Sequence, residues 1–312
     1  MDKFIEFITN AGNFPSQKAV IALGVFDGVH PGHRKVMETA TALAGETGAA
    51  AGAVTFIPHP RQVLGNPEEI KLLMPEADRI AGLQRAGAEF VCKINFSREI
   101  AAWSAEEFLE KLMNCNLFQL TGICVGSNWR FGKNGSGNRE LLEKFCNEHG
   151  IRFIPVEEVE DKGSIVSSSL LRKLTAAGML EEFKRIYGDY PKLTGIVRSG
   201  MRAAGKDLNA PTANLELQYG VMVPDGVYAG CSEVDGIRYP AVLNIGFAPT
   251  YGVKEKRIET HLIGFNGNLY DRDLTVTLVK KLRDICKFDS VEMLKEQIVK
   301  DVDAAKKAVT EI

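Results

Sequence analysis

The pattern of apolar runs changes near residue 188, and that change constrains the fold more than any other feature of the chain. From Lys18 to about Ile186, short apolar runs alternate with longer amphipathic ones, as in parallel strands joined by crossover helices. The spacing predicts strands at Ala19–Val25, Ala50–Phe56, Phe90–Ile94, Leu120–Val125 and Arg152–Val156. It predicts helices at Gly32–Ala44, Ala77–Ala86, Ala105–Asn114, Arg139–His149 and Ser168–Ala177. After Gly188, β-branched or aromatic runs such as Thr194–Arg198, Gly226–Cys231, Tyr239–Ile245, His261–Phe265 and Leu274–Leu278 are separated only by Gly, Asn, Asp and Pro, which suggests a small barrel. A last helix is expected where Asp289 and Glu292 resemble a capping box and Val291, Leu294, Ile298, Val302 and Ala305 recur at helical spacing. The expectation is therefore an α/β domain with a parallel sheet over residues 1–186 and a small antiparallel β-barrel with a terminal helix over 187–312, with Gly178–Pro191 as the boundary.

A chain of 312 residues is long enough for two cores, and 45% hydrophobic with 25% charged residues is ordinary globular composition. The net charge of -2 supplies no global field for a nucleic acid or a membrane surface, so neither is expected as a partner. The six cysteines form no C-x-x-C pair and no zinc pattern, and are expected as reduced, buried thiols. No targeting segment is read at the N-terminus, and no apolar run reaches the roughly 18 residues that span a bilayer. A cytoplasmic location is expected; the sequence does not bear on self-association.

The string Gly24-Val-Phe-Asp-Gly-Val-His-Pro-Gly-His33 follows an apolar run and opens a helix, where backbone N–H groups and the helix dipole favour a phosphate. Gly28 and Gly32 allow close approach, and His30 and His33 can donate to oxygens that gain charge as a phosphoanhydride breaks. Standing alone, H-x-x-H is more often a capped helix with two surface histidines. Three serines, Ser167, Ser168 and Ser169, precede Arg172 by about one helical turn, a set suited to a triphosphate, although capping alone explains one of them. No Ser-His-Asp or Cys-His arrangement accompanies these motifs.

The ten-residue string resembles the H-x-G-H signature of nucleotidylyltransferases, in the G-x-F-D-G-x-H-x-G-H form of prokaryotic bifunctional riboflavin kinase/FAD synthetases. Phe56-Ile-Pro-His-Pro60, Gly126-Ser-Asn-Trp-Arg-Phe-Gly132 and Val166-Ser-Ser-Ser-Leu-Leu-Arg172 are similar to that family's F-x-P-H-P, G-x-D-F-R-F-G and I-S-S-T-x-I-R segments, in order. The resemblance implies a Rossmann-like nucleotidylyltransferase domain in which Gly24, Phe26, Asp27, His30, His33, Ser167, Ser168, Ser169 and Arg172 bind ATP. It implies that Pro58, His59, Pro60, Asn128, Arg130 and Phe131 line the flavin side, Asn128 standing where the family has Asp.

In the second half, Gly200-Met-Arg-Ala-Ala-Gly205-Lys206 begins like a P-loop, but Asp207 replaces the metal-binding hydroxyl and Asn-Ala-Pro follows where a helix should start. The stretch continues into Pro211-Thr-Ala-Asn214, similar to the P-T-A-N motif of riboflavin kinases. Thr212 and Asn214 lie two apart, so on an extended chain their oxygens project to one side and could hold Mg²⁺. Alone, the tetrapeptide is an ordinary turn. Pro224–Ala229, Asn244–Gly246, Pro249–Tyr251, Glu259–His261 and Leu269-Tyr270 continue the flavokinase resemblance in order. It implies Glu259 as the catalytic base, Gly205, Lys206, Thr212 and Asn214 at ATP, Thr212 and Asn214 at the metal, and Glu259, Arg283 and Phe288 at the flavin. Lys206, Asn209, Ala210, Ala248 and Gly264 depart from the family pattern.

The expected function is thus phosphorylation of riboflavin to FMN followed by adenylylation of FMN to FAD, with ATP as co-substrate and Mg²⁺ as cofactor. Two other readings remain open at this point: a monofunctional FMN adenylyltransferase whose barrel has lost kinase activity, and a flavin-sensing relative without turnover.

Overall fold

A computed structural model describes residues 4–8, 17–65, 70–198, 213–247 and 256–311. By internal contacts the chain divides into two compact units, Met1–Lys71 with Glu76–Ser168, and Leu72–Pro75 with Ser169–Ile312.

The first unit contains strands β1 (Ile5–Phe7), β2 (Lys18–Leu23), β3 (Ala50–Ile57), β4 (Phe90–Asn95), β5 (Gln119–Gly126), β6 (Arg152–Val156), β7 (Glu160–Asp161) and β8 (Ser164–Ile165). Its helices are α1 (Pro31–Thr47), α2 (Pro60–Leu64), α3 (Glu76–Arg85), α4 (Arg98–Ala101), α5 (Ala105–Met113) and α6 (Arg139–Glu148). Six strands form one sheet in the order β1-β4-β3-β2-β5-β6, parallel except for β1, which runs antiparallel along β4. The expected parallel sheet is present, and the antiparallel edge adds to it. Central β2 and β3 are buried along almost their whole length, the signature of a sheet covered on both faces. Gly52 in β3 lets the Phe90 ring lie against the backbone, since a Cβ there would fall 2.1 Å from the ring.

The chain runs β2, β3, β4 outward to one side and then returns to place β5 on the other side of β2. The strand order reverses between β2 and β5. In open α/β sheets the crevice at the carboxyl ends of such a pair is where ligands bind, and the segments Gly24–His33 and Ser127–Gly132 emerge there.

Helix α7 (Ser168–Ala176) starts on the last residue of the first unit; the second unit contains the rest of it with α8 (Leu180–Tyr187), β9 (Lys192–Arg198), β10 (Ala213–Tyr219), β11 (Gly226–Val234), β12 (Ile237–Phe247), β13 (Lys256–Leu262), β14 (Asp273–Arg283) and α9 (Val291–Thr310). The six strands close into an antiparallel barrel in the order β10-β13-β12-β11-β14-β9. Its core includes Leu193, Val197, Leu215, Tyr228, Leu243, Ile258, Val276 and Leu278. Leu72 joins this unit by accepting a hydrogen bond from the Gly220 N–H at 2.7 Å.

Three local expectations are corrected. The cap of α9 is Ser290, whose hydroxyl accepts from the Met293 N–H, and not Asp289. Val291 stays 54% exposed, and α9 buries Asp301, Ala305 and Ala308. Cys286 is exposed and Cys115 half-buried, while the other four cysteines are buried; all six are free thiols.

Candidate functional site

The segment after β2 departs from ordinary backbone at once. Phe26, Gly28 and Val29 have φ of 55°, 88° and 40°, and a β-branched residue in the left-handed region is strained. The loop is fastened along its length. The Gly24 N–H donates to the Val54 carbonyl at 3.1 Å, the Val29 N–H to the Phe26 carbonyl at 3.1 Å, and the Ser168 hydroxyl to the Asp27 carbonyl at 2.7 Å. The Val25 carbonyl receives the Thr55 hydroxyl at 2.9 Å and a guanidinium N–H of Arg79 at 3.0 Å.

This loop delivers His30 to the N-cap of α1 and His33 to its first turn. The rings stack with centroids 3.6 Å apart and 25° between planes, and the Phe26 ring meets His33 edge-on at 5.3 Å. His30 makes no side-chain cap bond, so its imidazole is not spent on the helix end. His33 is half-buried as a residue, but its Nδ1 is fully buried with no hydrogen-bond partner among the described residues. Burial, then the neighbouring charges of His30, Arg79 and Arg34, holds this imidazole well below the usual histidine range. The pair therefore presents a neutral ring donor beside a helix N-terminus, an arrangement suited to phosphate oxygens.

The remaining expected residues of the first half fall in several places. His59 caps α2, its Nδ1 accepting from the Arg61 N–H at 3.0 Å, with Pro58 before it and Pro60 at the first helical position. Asn128 donates to a Glu158 carboxylate oxygen. Arg130 is exposed, whereas Phe131 is buried and stacks on Trp129 with centroids 4.6 Å apart and 12° between planes. Ser167 precedes α7, Ser168 opens it, and Ser169 and Arg172 follow on its first turns. The sequence reading passes over Trp129, Thr55 and Arg79. Only Trp129 carried a signal, as a large aromatic inside a Gly-bounded loop; Arg79 reads as one more polar position on an amphipathic helix.

In the barrel, Asn214 on β10 pairs directly with Glu259 on β13, and Glu259 pairs with Asn244 on β12. Directly opposed residues project to one face, so these three polar side chains form a row on the outer wall. Register extends the row to Arg198 at one end and through Val227 to Arg283 at the other. Asn214 Oδ1 is buried without a hydrogen-bond partner among the described residues, as an oxygen awaiting a cation would be. Arg283 grips Asp301 of α9 through Nε and Nη2 at 3.1 and 2.9 Å, and its guanidinium lies 5.6 Å from the Phe288 ring. Gly205, Lys206 and Thr212 lie outside the described residues.

Comparison with known proteins matches both units. The FAD synthetase family model covers residues 14–170 and the riboflavin kinase family model residues 187–309. Similar proteins include the bifunctional riboflavin kinase/FMN adenylyltransferases of Buchnera aphidicola, 31% identical over 98% of each chain, of Bacillus subtilis, 34% identical over 92% of each, and of Escherichia coli K12, 30% identical over 96% of this chain and 95% of that one. A crystal structure from Streptococcus pneumoniae described as a macrolide-efflux protein superimposes with a TM-score of 0.81 at 29% identity, covering 95% of this chain and 96% of that one. No helix among the described residues is long and apolar enough to cross a membrane.

Proposed function

Because the chain belongs to the bifunctional riboflavin kinase/FMN adenylyltransferase family, we infer that it converts riboflavin to FMN at the barrel and FMN to FAD at the α/β unit. The observation that carries the reading is that each unit holds its own phosphate-directed cluster. One is the stacked His30–His33 pair at the point where strand order reverses, and the other is the Asn214–Glu259 row on the barrel wall.

In the kinase step, Glu259 accepts the proton of the riboflavin primary hydroxyl as that oxygen bonds to the γ-phosphorus of ATP, and the bond to the β-phosphate oxygen breaks to release ADP. Asn214 and Thr212 would hold Mg²⁺, with Gly205 and Lys206 beside the phosphates. When bound, the cation neutralises charge on the nucleotide phosphates. Arg283 and Phe288 form the flavin side.

In the adenylyl step, a phosphate oxygen of FMN attacks the α-phosphorus of ATP and the bond to the bridging oxygen breaks, releasing pyrophosphate. His30 and His33 donate to the α-phosphate and the leaving group. Ser167 and Ser168 bind the remaining phosphate oxygens, Gly24, Phe26 and Asp27 bound the nucleotide, and Pro58–Pro60, Asn128, Arg130 and Phe131 face the flavin. A nucleophile on the protein is not required.

The test is incubation of the purified full-length chain with riboflavin and Mg-ATP, followed by separation of the flavins. FAD is expected. FAD from supplied FMN but none from riboflavin would leave only the second activity, and flavin binding without turnover would remove both. A cytoplasmic location completes the proposal.

A further inference from the structure

Helix α3 supplies a side chain to the first unit's site that its exposed position in the sequence pattern conceals. Arg79 is 5% exposed, a burial that arginine adopts when its guanidinium has work for its donors. Nη1 donates to the Val25 carbonyl at 3.0 Å and reaches the Phe56 carbonyl at 3.5 Å. The Val25 carbonyl lies two residues past the end of β2, and the Phe56 carbonyl lies one residue before the end of β3. One is the last point before the strained Phe26–Val29 loop and its histidines, the other the last turn of strand before Pro58, His59 and Pro60. Thr55, fully buried, reinforces the first from below. One turn further along α3, Gly82 lies against Val29, where a Cβ would come within 3.0 Å of its side chain. The same helix face thus ties down the loop's entry and makes room for its most strained residue. Backbone in such conformations persists only when its surroundings over-determine it.

We propose that Arg79 is a positioning residue for adenylyl transfer, its guanidinium bracing the backbone at Val25 and Phe56 so that the histidine loop and the His59 turn hold their working geometry. The assignment rests on reading this unit as the FMN adenylyltransferase. Arginine suits the task because the two N–H groups of Nη1 are held in the guanidinium plane, so this one nitrogen can address both carbonyl oxygens in a fixed geometry that a freely rotating ammonium lacks. Its charge also acts on His33. That ring is faced by the Phe26 edge, by His30 and Arg34 of its own helix, and by Arg79 from α3, and all three charged groups oppose its protonation.

The test uses the full-length protein, with FAD formation from FMN and Mg-ATP as the reporter and FMN formation from riboflavin as the control in the other unit. Arg79→Met should lower kcat of adenylyl transfer by about a hundredfold, with KM little moved and the kinase step intact. In ring-proton NMR, His33 should titrate at higher pH in Arg79→Met than in wild type; burial also holds this ring down, so the charge-keeping Arg79→Lys variant separates loss of charge from loss of packing. Arg79→Lys keeps the charge and one contact, so its kcat should fall only about tenfold while His33 titrates as in wild type. Wild-type kcat in either variant, or a loss in Arg79→Met with His33 titration unmoved, overturns the assignment. Should Arg79→Met fail to fold, Arg79→Lys decides alone. A wild-type protein that makes no FAD from FMN would instead refute the reading of the unit.

Discussion

Replacement of Asp301 by Ala tests how the kinase unit is held together. Asp301 is 5% exposed on α9, and its carboxylate accepts from Arg283 Nε and Nη2 at 3.1 and 2.9 Å and from Gln297 at 2.8 Å. Removing one partner of a fully buried ion pair costs about 3–5 kcal/mol, because the other charge is left without compensation. Here the Arg283 side chain keeps 22% of its surface in solvent, and Nη1 retains the Asp284 carbonyl at 3.1 Å. Water can therefore reach the orphaned guanidinium, and the expected loss is about 2–3 kcal/mol. For a unit of this size that is roughly 6–12 °C in melting temperature. The assay is residual activity after graded heating. Riboflavin phosphorylation should fail at the lower temperature, while adenylyl transfer from supplied FMN survives as in wild type. A kinase unit that keeps its wild-type melting temperature would show the pair to be solvated and the reasoning wrong.

Other perturbations separate the two sites. Glu259→Gln should lower FMN formation by about 10²–10⁴-fold while leaving FAD formation from FMN unchanged, measured by flavin chromatography. His33→Ala should do the reverse, and loss of both steps in either folded variant would refute independent sites. His33 is depressed in the folded protein, so the unfolded chain binds the extra proton first. Wild type should therefore lose stability relative to His33→Gln as pH falls from about 6.5, and keep it above that pH, as followed by thermal melts. Gly52→Ala should destabilise the first unit by about 1–3 kcal/mol through collision with Phe90, and a second change, Phe90→Leu, should restore part of it.

The long elements were legible because each carries its own periodicity. Helices α1, α3, α5, α6 and α7 fall within a few residues of expectation, with polar caps such as Ser104 and Asn138 marking two of their starts. Helix α8 was not, since Gly178 and Gly188 read as breakers of one boundary stretch when Gly188 is in fact its left-handed C-cap. Strand β1 could not be read locally, because its pairing depends on β4 more than eighty residues away. The histidine pair, Asn214 and Glu259 came from motifs whose spacing is local, whereas the row that joins Asn214 to Glu259 is set by strand register and was not legible. Nor was Arg79, because its two acceptors, one just past β2 and one on β3, are brought to α3 only by the folded sheet.

The row that joins Arg198, Asn214, Glu259, Asn244, Val227 and Arg283 takes one residue from every strand of the barrel, yet it does not return to its origin. Strand β14 meets β9 through Asp273–Thr277, far along the strand from Arg283. The positions therefore wind around the wall as a screw thread whose pitch is the strand tilt of the closed sheet. An inserted residue in any one strand would turn its share of the thread inward, so this face of the barrel can vary in its loops but tolerates no change in strand count or stagger.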